Sequence, residues 1–264
     1  MHRDKSILKV AFAAGKGGVG KTTLSGSVGS YLADCGYKVL MVDLNSQSDL
    51  TYGLNQNIEA PGIGQYLMGE SETPHIQKIT DNLHIINGGD GLNHGNITSG
   101  AISYNEYGDF LEEMKGLGYE IVITDIPPEK GVFEKMGINT ADAMFLVMNK
   151  HPFSKRNGMK VLQEVVDRQR RNRVAPRDVN VVLNNVARIH QSDETLTQLR
   201  NKLNEDEYMS KFSVSMVHKD VKIDRPMEEG NPLMSYKDVK AMSPVIEEIG
   251  ALASWLLAKS SIKH

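Results

Sequence analysis

The densest chemistry in the chain lies in one short stretch, Gly15-Lys16-Gly17-Gly18-Val19-Gly20-Lys21-Thr22-Thr23. It meets the spacing G-x-x-x-x-G-K-[ST] in full and stands between an apolar, β-branched run and a helical pattern. Glycines let successive backbone N–H groups turn inward on one anion. The N-terminus of the helix that follows adds positive potential at the same point. Lys21 supplies a mobile cation for the β and γ phosphates of a nucleoside triphosphate, and Thr22 a hydroxyl for Mg²⁺. Gly15, Gly17, Gly18, Val19, Gly20 and Thr23 contribute backbone to the cradle. Lys16 is a second lysine that a phosphate loop of this spacing does not require.

A metal beside the phosphates calls for an acid at the end of a parallel strand. Two candidates exist. Lys38–Val42 ends at Asp43, and Ile121–Thr124 ends at Asp125. Both acids would emerge at the carboxyl edge of a sheet, where ligands bind in such folds. The elements needed to place them are legible as Val/Ile-rich runs alternating with amphipathic stretches. Strands are expected at Leu8–Ala13, Lys38–Val42, Leu83–Ile86, Ile121–Thr124, Ala143–Met148, Val179–Leu183 and Lys211–Val214. Helices are expected at Lys21–Asp34, Glu106–Lys115, Lys155–Arg171, Asp193–Leu203 and Pro244–Ala258. The pattern reads as an α/β fold, a doubly wound, mostly parallel sheet with helices on both faces. No linker divides residues 1–264, so one domain is expected, with its core at about 8–258. The glycine-containing stretch Asn87–Gly100 is a long loop, functional or merely connecting.

With Lys16 just after its first glycine, the loop resembles the deviant Walker A pattern K-G-G-x-G-K-[ST] of the ParA/MinD family of P-loop ATPases. The resemblance covers residues 8 to 258 and is closest to the ParA-type partition members. It implies that Lys16 reaches across a homodimer interface to the partner's ATP. Ile123-Thr124-Asp125-Ile126-Pro127-Pro128 is similar to the family's second switch, which gives Asp125 the role of holding Mg²⁺ through water. Pro152-Phe153-Ser154 is similar to another family segment. The first switch departs from the partition pattern D-x-D-P-Q-x-N-x-T: the chain reads Asp43-Leu44-Asn45-Ser46-Gln47-Ser48-Asp49-Leu50-Thr51. Asn45 stands where the family has an acid implicated in hydrolysis. An amide can hold a water but cannot take its proton. Slow turnover is therefore expected unless Asp49 or Asp43 takes that role. By the same resemblance, Asn184 at the end of Val179–Leu183 is expected to meet the adenine edge, with Asn185 as its rival.

The resemblance also implies partners: nonspecific DNA bound by the ATP dimer, and a small activator or centromere-binding protein that stimulates hydrolysis. The segment Val214–Tyr236 is similar to a partition-protein stretch and supplies Lys219 and Lys222; Arg188 adds to them as a phosphate contact. Arg168, Arg170, Arg171, Arg173 and Arg177 form a second basic cluster, equally readable as a solvated helix end. The net charge is -3, so polyanion binding must come from such a patch. A MinD-like membrane ATPase is the competing class and needs a basic amphipathic C-terminal helix. Here Val245, Ile249, Leu252 and Leu256 share one face of an acidic helix, which reads as core packing. Membrane attachment is thus not expected. The single cysteine, Cys35, excludes a disulfide framework and multi-cysteine clusters within one chain, and it is expected to be buried after the first helix. No apolar run approaches the roughly 18 residues that span a bilayer. Met1–Lys9 is too charged for a signal peptide, so a cytoplasmic location is expected.

Overall fold

The computed structural model describes residues 7–89, 91–92, 102, 104–128, 130–173, 175–187, 192–220 and 245–259. In these residues the strands are β1 Leu8–Ala14, β2 Val39–Asp43, β3 Gln77–Lys78, β4 Leu83–Ile86, β5 Ile121–Asp125, β6 Ala143–Met148, β7 Asp178–Val186 and β8 Ser213–His218. The helices are α1 Lys21–Asp34, α2 Asp49–Gly53, α3 Ile63–Leu67, α4 Tyr104–Gly116, α5 Val132–Thr140, α6 Pro152–Arg170, α7 Ser192–Asn204 and α8 Val245–Lys259. The strands form one sheet in the order β3-β4-β2-β5-β1-β6-β7-β8. Every pairing is parallel except β3 with β4.

Strand residues alternate between two packed layers, which is why the strands read as unbroken apolar runs. In β1, Val10, Phe12 and Ala14 face a layer shared with Leu24, Val28 and Leu32 of α1 and Val245, Ile249, Leu252 and Leu256 of α8. Ala11 and Ala13 face the opposite layer, where α6 and α7 contribute Val161, Val165, Leu199 and Leu203. Farther along that layer, Leu40, Val42 and Val122 meet Tyr107, Phe110 and Met114 of α4 and Met136 of α5. Each fully buried side chain of this size contributes roughly 1.5–3 kcal/mol. The apolar stripe of α8 is therefore core, as its pattern implied. No described helix is long and apolar enough to cross a membrane.

Several expectations need correction. Cys35 is exposed, because it caps the C-terminal end of α1 rather than turning inward. Lys211–Val214 is not one strand: Met209–Lys211 is a 3-10 turn pinned by buried Met209 and Phe212, and β8 starts at Ser213. Helix α6 begins at Pro152, three residues earlier than its apolar period suggests. Proline suits the first turn, and His151 Nδ1 accepts the Phe153 N–H at 3.3 Å as a cap. The short elements α2, α3, β3 and α5 carry too little periodicity to be read from sequence. Arg188, Lys222, Pro244, most of Asn87–Gly100 and most of Val214–Tyr236 lie outside the described residues.

Candidate active site

The loop after β1 takes the shape its glycines permit. Gly18 and Gly20 lie in the left-handed region, with φ of 72° and 84°. A side chain at Gly20 would run into the Asn184 amide. The Gly20 carbonyl accepts the Leu24 N–H at 3.0 Å and opens α1. At the other end, Gly15 abuts the backbone of Asn157 and Gly158, so the first turns of α6 press directly on the loop. Asn184, expected at the base, is buried and donates its amide to the Val19 carbonyl at 2.9 Å. In this structure it braces the loop from beneath, across 165 residues of chain. Its rival Asn185 is exposed and sits at a φ of 57°.

Asp125 and Asp43 end adjacent strands and lie side by side in register. Both are fully buried. Asp125 receives three side-chain donors. Lys21 Nζ stands 2.7 Å from its Oδ2, and Thr22 Oγ1 donates to the same oxygen at 2.8 Å. Ser25, which no sequence motif singled out, donates to Oδ1 at 2.9 Å. Asp43 is held quite differently, by the switch backbone. The N–H of Asn45 donates to its Oδ1 at 3.0 Å, and those of Leu50 and Thr51 to its Oδ2 at 3.1 Å each. The Thr51 hydroxyl adds a bond at 3.2 Å. Burial and then the Asp125 charge push the Asp43 carboxyl up to about 7, against the pull of these N–H groups and Lys21.

The first switch turns on these bonds. Asn45 is buried; its Nδ2 donates to Asp49 Oδ2 at 3.2 Å and its Oδ1 accepts the Gln47 N–H at 3.1 Å. The side chains of Asn45, Gln47 and Asp49 then line one wall of a cleft of about 340 Å³. Lys16 through Thr23 form its floor and Pro128 its rim. Lys16 is exposed there, and no described residue forms an ion pair with it. Thus Gly15 to Thr23, Asn45, Asp49 and Asp125 come together, and Asp43 stands immediately behind them.

The donors fit Mg²⁺. Thr22 and Asp125 offer hard oxygens, and among the described residues no group of three or more His, Cys, Asp or Glu converges as a metal cage. That donor set suits a cation that keeps its waters and takes phosphate oxygens as ligands. A concavity of about 930 Å³ lies at the opposite edge of the sheet. It is lined by Lys9, Lys135, Asp142, Arg168 and Arg177, with no residue of the loop. The Arg168–Arg177 cluster sits at that far edge, where Arg170 pairs with Asp206 at 2.6 Å and Arg177 with Asp178 at 2.9 Å. Lys219, exposed just past the end of β8, is at the same edge as the phosphate loop.

Residues 7–180 match the family described as an AAA domain. The chromosome partitioning protein ParA of Caulobacter vibrioides is 30% identical over 168 residues, which cover 61% of this chain and 62% of that one. The chain spans about three fifths of the length of the first curated relatives it matches. The chromosome-partitioning ATPase Soj of Treponema pallidum is 26% identical over 240 residues, 86% of this chain and 89% of that one. Among solved structures, MinD of Aquifex aeolicus superposes with a TM-score of 0.70 at 22% identity, covering 98% of this chain and 99% of that chain. A Cyanothece McdA complex with ATP gives 0.78 at 18% identity, covering 98% and 99%. At these identities the structural likenesses speak for the fold.

Proposed function

The chain belongs to the ParA/MinD family of P-loop ATPases, and from that membership we propose a Mg-dependent ATPase that acts as a ParA-type partition or positioning switch. The observation that carries this reading is Asp125 held by Lys21 and Thr22 at the mouth of the glycine loop. The loop N–H groups and Lys21 would take the phosphates of ATP. Thr22 and Asp125 would hold Mg²⁺, which supplies charge neutralisation on those phosphates. Hydrolysis needs a water in line with the γ phosphate and a group to take its proton. Asn45 cannot take it, but its amide holds the Asp49 carboxylate in the cleft wall. Asp49, four positions farther along than the family's acid, takes the proton in this reading and relieves part of the slowness that Asn45 imposes.

Lys16, exposed in the cleft floor, is available to a second copy, in keeping with an ATP-sandwich homodimer. Lys219 lies at the nucleotide edge, so a dimer formed there would carry it to nonspecific DNA, and the resemblance adds Arg188 and Lys222 as further phosphate contacts. The Arg168–Arg177 cluster at the far edge is less suited to an ATP-controlled contact. A small activator or centromere-binding protein would then trigger release. Asn45 also favours a second reading, an ATP-dependent scaffold with little turnover. The α8 stripe is buried in the core, so it does not serve as the anchor that the MinD-like membrane reading asks of it. The deciding experiment is a gel shift on nonspecific duplex with ATP, ADP or no nucleotide, beside liposome pelleting. ATP-selective retardation with a steep salt slope supports the partition reading, and replacing Arg188, Lys219 and Lys222 by alanine should lower that log–log slope by about three. Pelleting with liposomes, without retardation of DNA, refutes it.

A further inference from the structure

The three donors to Asp125 have unequal futures in a nucleotide site. Lys21 and Thr22 share its Oδ2 and are the two residues that a phosphate and a metal would claim. Ser25 belongs to no motif. It is fully buried one turn into α1, and its hydroxyl lies 2.9 Å from Asp125 Oδ1 and 2.9 Å from the Thr22 carbonyl oxygen. A hydroxyl has one proton to donate, and these two acceptors compete for it. A carboxylate pinned at one oxygen keeps the other aimed, whereas an unpinned one rotates freely about its last torsion.

We propose that Ser25 is a positioning residue for the metal: it holds Asp125 by Oδ1 so that Oδ2 stays directed at Thr22 when Lys21 and Thr22 turn to the phosphates and Mg²⁺. The inference rests on the Mg-nucleotide reading above. Ser27 provides the contrast. It is equally buried, but its hydroxyl donates only to the Thr23 carbonyl, at 2.7 Å, the ordinary bond of a helical serine to its own helix. Outer-shell partners of metal ligands commonly change metal affinity about 10–100-fold when removed.

The test is calorimetric titration of ADP over a series of Mg²⁺ concentrations, with the parent, Ser25→Ala, Ser25→Thr and Ser27→Ala. Ser25→Ala should raise the half-saturating Mg²⁺ about 10-fold or more while leaving the metal-free ADP affinity unchanged. Ser25→Thr, which keeps the hydroxyl, and Ser27→Ala should both follow the parent. An unchanged Mg²⁺ requirement in Ser25→Ala overturns the proposal. So does an equal loss in Ser27→Ala, or a parallel fall in metal-free affinity, since either marks a general disturbance of α1. A parent whose ADP affinity ignores Mg²⁺ instead refutes the nucleotide reading on which the proposal stands.

Discussion

Asp43 and Asp125 are alike in sequence and in place: each ends a buried parallel strand, and the two lie in register on neighbouring strands. Their partners make them different. Asp125 is held by three side chains, two of which, Lys21 and Thr22, line the cleft. Asp43 is held by three backbone N–H groups and one hydroxyl, all from the segment that folds over it. An acid bound by movable donors is free to change partners and can act as a ligand. An acid bound by backbone is a bracket for the loop that supplies the donors. Burial reinforces the division, because the Asp43 carboxyl is pushed up to about 7 by desolvation and its neighbour's charge.

Removing a movable donor should have the largest effect. Lys21→Ala should lower Mg-ATP affinity at least about 100-fold by calorimetry, because it removes the charge-assisted bonds to the β and γ phosphates, while Lys16 is read as serving a partner's nucleotide. An unchanged affinity would break the assignment of Asp125 as the acid that releases Lys21. The next effect concerns the loop that Asp43 brackets. Asn45→Asp should accelerate single-turnover hydrolysis at saturating Mg-ATP by about 10²-fold, the lower range of general-base assistance. Asp49→Asn should slow the parent to a similar degree. A parent as fast as Asn45→Asp and indifferent to Asp49→Asn would show that neither position limits the reaction.

Smaller effects sharpen the contrast in stability. Asp43→Ala leaves buried N–H groups without acceptors and should cost about 2–4 kcal/mol in denaturant unfolding. Asp125→Ala should cost less, since Lys21 and Thr22 line the cleft and Ser25 retains the Thr22 carbonyl as acceptor. Equal losses would erase the distinction between bracket and ligand. The pH dependence is the finest test. The folded pKa of Asp43 lies above its usual value, so the folded state binds the proton more tightly than the unfolded chain. The stability this adds is complete at low pH, falls as pH rises from about 4 through about 7, and then levels off. Thermal unfolding of the parent between pH 5 and 8 should show that decline, and Asp43→Asn should flatten it.

The phosphate loop was readable from nine consecutive residues because its chemistry is local. Glycine freedom, a following helix and a lysine at a set spacing are all properties of neighbours in the chain. The same holds for the strands, whose apolar runs reflect burial on both faces, and for the α8 stripe, whose helical period declared it core. Helix α5 and the two short helices escaped because so few turns give no period to read. The division of labour between Asp43 and Asp125 was not available at that level, since both satisfy the same strand-end pattern. It was decided by register between β2 and β5 and by bonds that span 103 residues from Thr22 and 100 from Ser25. Asn184 tells the same story: the resemblance assigned it to the base, and chain folding adds a bond to the Val19 carbonyl that no strand-end pattern reveals. Sequence determines which groups are present and which backbone shapes they allow; only the packed sheet brings a strand end, a helix turn and a loop within 3 Å, and that proximity sets which donors each acid receives.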